Sequence, residues 1–276
     1  MLKILQARLQ QGHRTMRYPA GPAPAVPDRL RGLPTLDAAK CPEGCGLCAG
    51  ACPFGAISLA DGRAGGSEGG QGGGPQIDLG RCLFCGQCAD ACPTQALGFS
   101  TEHRLAARRR EDLIVGPGSP GGQPGLRLAT ALEPRLLSLF GRSLKLRQVS
   151  AGGCNACEAD VNVLNTVGWD LGRFSIQFVA APRHADGLLI TGPVTQNMRL
   201  ALEKTYEAVP EPKIVIAVGA CAISGGPYSG HAQALGGAGT LLPVDLYIPG
   251  CPPHPLTILD GLLRLLGRIP EDEGRG

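Results

Sequence analysis

Twelve cysteines dominate this 276-residue sequence, and eight of them fall in two short runs in its first hundred residues. The second run reads Cys82-x2-Cys85-x2-Cys88-x3-Cys92-Pro93. This spacing is typical of [4Fe–4S] clusters, because three thiols two residues apart wrap one loop around three irons. The fourth cysteine, before proline, binds the other cluster of a two-cluster protein. The run therefore predicts one-electron redox chemistry.

The first cysteine run repeats this pattern with one extra residue in its first gap. It reads Cys41-x3-Cys45-x2-Cys48-x3-Cys52. We predict that a bulged turn at Pro42 and Gly44 absorbs the extra residue; the alternative is a labile or three-iron cluster. The ligands of one cluster are then Cys82, Cys85, Cys88 and Cys52, and those of the other are Cys41, Cys45, Cys48 and Cys92. A zinc-stabilised interaction scaffold is the alternative, although zinc needs only four ligands in C-x2-C pairs.

Four further cysteines are spread over the second half of the chain. They are Cys154, Cys157, Cys221 and Cys251, each beside glycine or proline and each after a predicted strand. The carboxyl ends of parallel strands meet at one edge of a sheet, where ligands bind. The four thiols can therefore hold a third cluster, although free cysteines are also commonly inert core residues. Glu158 and Asp160 follow the first pair, and they either face a proton route of a partner or are ordinary acids at a helix N-terminus.

Strands and helices must alternate from about residue 145 to bring these thiols together. Continuous apolar runs predict strands at Lys145–Val149, Ser175–Val179, Gly187–Thr191, Lys213–Val218 and Asp245–Ile248. Helical periodicity predicts helices at Ala156–Asn165, Asn197–Ala208 and Leu256–Leu266. Apolar strands between helices indicate a parallel sheet covered on both faces. We predict an α+β ferredoxin-like 2[4Fe–4S] domain followed by an α/β flavodoxin-like parallel-sheet domain.

The intervening segments set the predicted boundaries. The proline-rich residues 18–27 predict a strap over the first domain, and the glycine-rich residues 62–74 predict a surface loop. The charged residues 101–112 predict a helix with a solvated arginine face. Residues 116–126 match G-x-G-x-x-G, but three prolines forbid the helix that a dinucleotide site requires. The predicted domains are 1–112 and 141–276, joined by a linker at 113–140.

Composition excludes several other classes. A net charge of +3 is too small to indicate a nucleic-acid partner. No apolar run approaches the ~18 residues that span a bilayer. We expect no export signal, because Gln6 and Arg8 break the apolar stretch at residues 4–9. Clustered cysteines then predict metal binding in the reducing cytoplasm.

At this point the chain resembles two families. Residues 1–112 resemble the ferredoxin-like subunit of formate hydrogenlyase and related membrane-bound hydrogenases, in the Leu-rich start, Arg31-Gly32 and Leu79-Gly-Arg-Cys-Leu-Phe-Cys-Gly-Gln-Cys88. Residues 145–268 resemble the small subunit shared by complex I and membrane-bound [NiFe] hydrogenases. The matching stretches are Ala181–Asp186, Leu188–Pro193, Gly219–Cys221 and Pro243–Pro253.

This resemblance implies a subunit with three [4Fe–4S] clusters that relays electrons to or from a catalytic large subunit, either of the [NiFe] hydrogenase type or like the complex I 49 kDa subunit. The third cluster is implied at Cys154, Cys157, Cys221 and Cys251. Complex I members use two adjacent cysteines, so Cys154-x2-Cys157 favours hydrogenase or formate hydrogenlyase over a quinone-linked module. We expect a peripheral position at the inner face of the cell membrane through partner subunits.

Overall fold

A computed structural model of the chain describes residues 2–12, 14–42, 44–59, 74–117 and 125–270. The glycine-rich segment predicted as a surface loop lies outside these residues, apart from Gly74. Residues 118–124 of the predicted linker also lie outside them.

The first half of the chain forms two small sheets around the two cysteine runs. Its elements are α1 (Leu2–Gln11), β1 (Pro34–Leu36), α2 (Leu47–Ala51), β2 (Ile57–Leu59), β3 (Pro75–Asp78), α3 (Gln87–Asp90), β4 (Leu97–Phe99) and β5 (Ile114–Val115). β1 pairs antiparallel with β4, and β3 lies antiparallel between β2 and β5. Each cysteine run ends in a short helix followed by a strand, α2 with β2 and α3 with β4. The internal repeat of the sequence is therefore also a structural repeat.

The second half forms one parallel sheet with helices between its strands. Its elements are α4 (Pro134–Phe140), β6 (Leu144–Ser150), α5 (Ala156–Val163), β7 (Ile176–Phe178), β8 (Gly187–Thr191), α6 (Gln196–Ala208), β9 (Ile214–Val218), α7 (Ala220–Ser224), β10 (Leu246–Ile248) and α8 (Pro255–Leu265). The order across the sheet is β10-β9-β8-β6-β7, and all four pairings are parallel. The five predicted strands and three predicted helices are confirmed within three residues at each end.

The two halves share their hydrophobic core. One buried cluster contains Leu79 and Leu113 from the first half together with Leu188 and Val215 from the second. Two elements, β5 and α4, also fall inside the range predicted as a linker. The division into two domains therefore stays a prediction about sequence units.

The predicted helix at residues 101–112 is wrong. Ala107 exchanges two backbone hydrogen bonds with Tyr247 of β10, at 3.0 and 2.9 Å. Arg108 Nε donates to the Asp245 carbonyl at 2.7 Å, and Arg110 pairs with Asp78 at 2.6 Å. Pairing with a strand of the other half replaces helical hydrogen bonds here. Arg108 therefore joins the halves, and Arg110 pairs within the first half.

The proline-rich strap lies over both halves, not over the first alone. The Tyr18 carbonyl of the strap accepts from Arg173 at 2.7 Å, and just before the strap Thr15 and Met16 hydrogen-bond to Val167 and Gly168 in the second half. Further along, Leu33 N–H donates to the Glu102 carbonyl of the first half at 3.0 Å. The strap and its flanking residues therefore connect the halves through hydrogen bonds.

A buried polar network fixes the strap to α8. Every residue of α8 is buried, including Asp260 and Arg264, which form an ion pair at 2.9 Å. The Tyr18 hydroxyl donates to the second oxygen of Asp260 at 2.6 Å. Burial, followed by the Asp260 charge, raises the pKa of Tyr18 well above its usual range, so the hydroxyl stays protonated and donating.

We expect Asp260→Asn to lower the free energy of unfolding by about 3 kcal/mol, because Arg264 is left buried beside a neutral partner. Tyr18→Phe removes one hydrogen bond to a charged group and should cost about 1.5–3 kcal/mol. Denaturant unfolding of anaerobically purified protein measures both. Glu207→Gln breaks an exposed ion pair with Lys204 and should cost less than about 1 kcal/mol. Equal small losses in all three variants would contradict the network's role.

Candidate iron–sulfur centres

The first group of thiols lies between the two cysteine runs. One cavity is lined by Cys41, Cys45, Cys48 and Cys92. Burial, followed by the charges of Cys45 and Cys92, raises the pKa of the Cys41 thiol. Backbone N–H groups, led by Leu97, lower the pKa of Cys92. These are the four cysteines that the spacing assigns to one cluster, with the fourth supplied by the second run.

A turn accommodates the extra residue of the first run. The Cys45 N–H donates to the Pro42 carbonyl at 3.1 Å. Gly44 has φ of +73°, a conformation that glycine adopts without steric cost. The turn at Pro42 and Gly44 keeps Cys45 beside Cys41, so the longer gap does not separate their thiols.

The second group contains the other four cysteines of the first half. Burial raises the pKa of the Cys82 thiol to about 12, and the charges of Cys88, Cys52 and Cys85 add to this rise. The Phe84 N–H opposes the rise by donating to the Cys82 sulfur at 3.3 Å. Cys52 comes from the first run, so this group contains three cysteines of the second run and one of the first.

The third group is assembled by the parallel sheet. Cys154 and Cys157 follow β6, Cys221 is the second residue of α7 just after β9, and Cys251 follows β10. Burial raises the pKa of the Cys221 thiol to about 11 and that of Cys157 well above its usual range. Charges of the other thiols in the group add to both shifts. Four cysteines that are spread over nearly 100 residues of the sequence therefore meet at the carboxyl edge of the sheet.

The space around the thiols fits an iron–sulfur cluster. A Cβ built on Gly219 would lie 2.5 Å from the Cys157 sulfur, and one on Gly226 would lie 2.7 Å from the Cys221 sulfur. The backbone at these two glycines therefore lies too close to the sulfur atoms for a side chain to fit. Four thiols are the donor set of a [4Fe–4S] cluster. Within the described residues, no three His, Cys, Asp or Glu side chains are grouped closely enough to hold a single metal ion.

A buried carboxyl group beside the third group has a partner that the sequence did not indicate. Glu158 is only 6% exposed, and the Thr191 hydroxyl donates to it at 2.6 Å. Thr191 ends β8, next to the β6 loop that carries Cys154 and Cys157. Glu158 is therefore an acid at a helix N-terminus, one of the two alternatives, and its carboxylate ties the first turn of α5 to the sheet. No residue spacing signals this pair, because it depends on strand register.

The second and third groups lie on loops that touch. The Ser224 hydroxyl at the end of α7 donates to the Gly80 carbonyl at 2.8 Å, two residues before Cys82. A Cβ on Gly80 would lie 2.7 Å from the Ile223 side chain. Helix α7, which carries Cys221, thus packs against the loop that leads into the second cysteine run.

Two family matches divide the chain as these groups do. Residues 34–96 match the 4Fe-4S dicluster domain, and residues 154–265 match the NADH ubiquinone oxidoreductase 20 Kd subunit. The chain is 38% identical over 154 residues to the probable membrane-bound hydrogenase subunit mbhJ of Pyrococcus furiosus, a match that covers 52% of this chain and 92% of that protein. The chain belongs to the NADH ubiquinone oxidoreductase 20 Kd subunit family.

Two other relatives match a similar share of the chain. Formate hydrogenlyase subunit 7 of Escherichia coli is 40% identical over 162 residues, which are 57% of this chain and 64% of that protein. An NADH-quinone oxidoreductase subunit of Clostridium beijerinckii is 42% identical over 126 residues, which are 45% of this chain and 75% of that protein. The chain is thus an iron–sulfur electron-transfer subunit of an oxidoreductase, in which a 20 Kd subunit domain is fused to a dicluster domain.

None of the helices among the described residues has the length and apolar character needed to cross a membrane.

We expect Gly219→Ala to push the Cys157 thiol away from the third group, because the new methyl group has no space. Iron per purified chain should fall by about one third, since one of the three cysteine groups is distorted. Gly230→Ala is the matched control: Gly230 also has a positive φ, +81°, but its Cβ would meet nothing within 4 Å. Equal iron loss in both variants would show backbone strain, not the close approach to sulfur, to be the cause.

Proposed function

We propose that the chain relays electrons through three [4Fe–4S] clusters to or from a catalytic large subunit. The observation that carries this proposal is the convergence of all twelve cysteines into three groups of four. Bound clusters would supply one-electron transfer at each group. The proposed ligands are Cys41, Cys45, Cys48 and Cys92; Cys52, Cys82, Cys85 and Cys88; and Cys154, Cys157, Cys221 and Cys251.

The proposed order of the relay follows from the contacts between the cysteine loops. The second group shares the two cysteine runs with the first group, and its loop at Gly80 touches α7 of the third. The second group therefore lies between the others along the chain of contacts. Electrons entering at the first group would reach the third by way of the second.

The partner proposed for the third group is a large subunit of the [NiFe] hydrogenase type. The Cys154-x2-Cys157 spacing favours it, as do the relatives named as a membrane-bound hydrogenase subunit and a formate hydrogenlyase subunit. The NADH-quinone oxidoreductase relative supports the alternative, a quinone-linked module with a complex I 49 kDa-like partner.

The name of the hydrogenase relative also supports a peripheral membrane position through partner subunits.

The proposed architecture of the second half is flavodoxin-like. Numbered along the chain, its five strands lie in the order 2-1-3-4-5, which is the order of that fold. Ligands bind where the order reverses, outside the carboxyl ends of the strands. The loop with Cys154 and Cys157 follows the strand at this reversal.

Metal analysis tests the cluster count directly. We expect about twelve irons and about twelve acid-labile sulfides per anaerobically purified chain, from three four-iron clusters. About eight irons would leave only two clusters. Zinc with little iron would instead select the interaction scaffold and end the redox proposal.

Two cysteine variants test the assignment of ligands. Cys251→Ser should remove one paramagnetic species from the EPR spectrum of the reduced protein and leave two. Cys85→Ser should remove a different species, because it belongs to the second group. If both variants lose the same species, or neither loses any, the three groups are not three separate clusters.

The nature of the large subunit is tested on the native complex. A hydrogenase-type partner should bring about one nickel per copy of this chain and confer hydrogen uptake or evolution with a one-electron dye. A nickel-free complex that reduces a quinone would select the alternative. Either result leaves the iron content of this chain unchanged, so the two questions remain separate.

A further inference from the structure

A cavity of about 180 Å³ lies where the second and third cysteine groups face each other. Leu83 and Phe84, inside the second cysteine run, form one side of it. The loop at residues 249–253, which carries Cys251, forms another. A third side comes from residues 29–32, which follow the proline-rich strap and include no cysteine.

Arg31, four residues after the strap, lies directly against the second cysteine run. Its Nη1 donates to the Phe84 carbonyl at 3.4 Å. A Cβ built on Gly86 would lie 2.8 Å from Arg31 Nε and 3.1 Å from Cζ. Gly86 lies between Cys85 and Cys88, so the absence of a side chain there lets the guanidinium rest on the loop that carries three thiols of the second group.

The charge of Arg31 is not neutralised by a neighbouring carboxylate. Within the part of the chain that the structure describes, no carboxylate oxygen lies within 4.0 Å of its guanidinium. An arginine is permanently charged, so this is a fixed positive charge. A cluster together with its four thiolates carries a net negative charge, and one-electron reduction adds one further negative charge. A fixed cation nearby stabilises the reduced form more than the oxidised form.

We propose that Arg31 is a positioning residue that raises the reduction potential of the centre held by the second group. Because it lies at the junction with the third group, this rise favours the electron on the second centre over the third. Arg31 is exposed on one side, so solvent and salt reduce its effect without removing it. This inference rests on the proposed function, since it requires a cluster at Cys52, Cys82, Cys85 and Cys88.

The test is an EPR-monitored redox titration of the whole chain with Arg31→Gln. At a fixed ambient potential, we expect the reduced-to-oxidised ratio of one centre to fall about threefold, or ~28 mV for a one-electron couple. The species that shifts should be the one removed by Cys85→Ser. Arg31→Lys should restore most of the ratio. Arg142→Gln is the matched control, because it removes the same charge from an exposed arginine that precedes β6, at the opposite end of the strand from Cys154.

Salt separates the charge of Arg31 from its packing. The difference between wild type and Arg31→Gln should shrink at about 0.5 M salt, because exposed charges are screened. Iron content should stay at the wild-type value. If twelve irons remain but no single centre shifts, or if Arg31→Lys behaves like Arg31→Gln, this inference is wrong. If wild-type protein itself holds fewer than twelve irons, the proposed three-cluster function fails first.

Discussion

Groups of four thiols must be held together in this chain although, once ionised, their members repel one another. Burial and the charges of neighbouring thiols both raise the pKa of Cys157, so the protein alone disfavours the form that binds metal. Iron reverses this balance, because metal ligation replaces the proton on each thiol and releases it. The fold must therefore hold the thiols rigidly enough that binding metal, rather than moving apart, relieves the repulsion.

The chain meets this requirement in two different ways. In the first half, cysteines separated by two or three intervening residues are gathered by tight turns and the short helices α2 and α3. In the third group, no two cysteines except Cys154 and Cys157 are close in sequence. A parallel sheet gathers them, since the strands β6, β9 and β10 all end at one edge. Closing those long loops is an entropic cost that the hydrophobic core of the sheet offsets.

The same distinction explains how much could be predicted from sequence. Strands such as β8, Gly187–Thr191, are wholly buried and follow from their apolar runs alone. Asp260 and Arg264 are four residues apart on α8 and would be expected on a solvated face. Both are buried instead, because the strap delivers the Tyr18 hydroxyl to them from 242 residues away. Glu158 with Thr191 and Ala107 with Tyr247 follow the same rule: pairs made by topology leave no local pattern.

Exposure differs between the groups in a way that bears on how the subunit works. Three thiols of the first half are buried, Cys48, Cys82 and Cys88, and one, Cys85, is exposed. The third group has two exposed thiols, Cys154 and Cys251, and no buried one. Water near a cluster lowers the strength of every electrostatic interaction with it. A partner that covers Cys154 and Cys251 would exclude this water, so the potential of the third centre should depend on docking more than the potentials of the other two. Assembly would then adjust the driving force for electron exchange with the partner, whereas the potentials of the first half, which has three buried thiols, should change less.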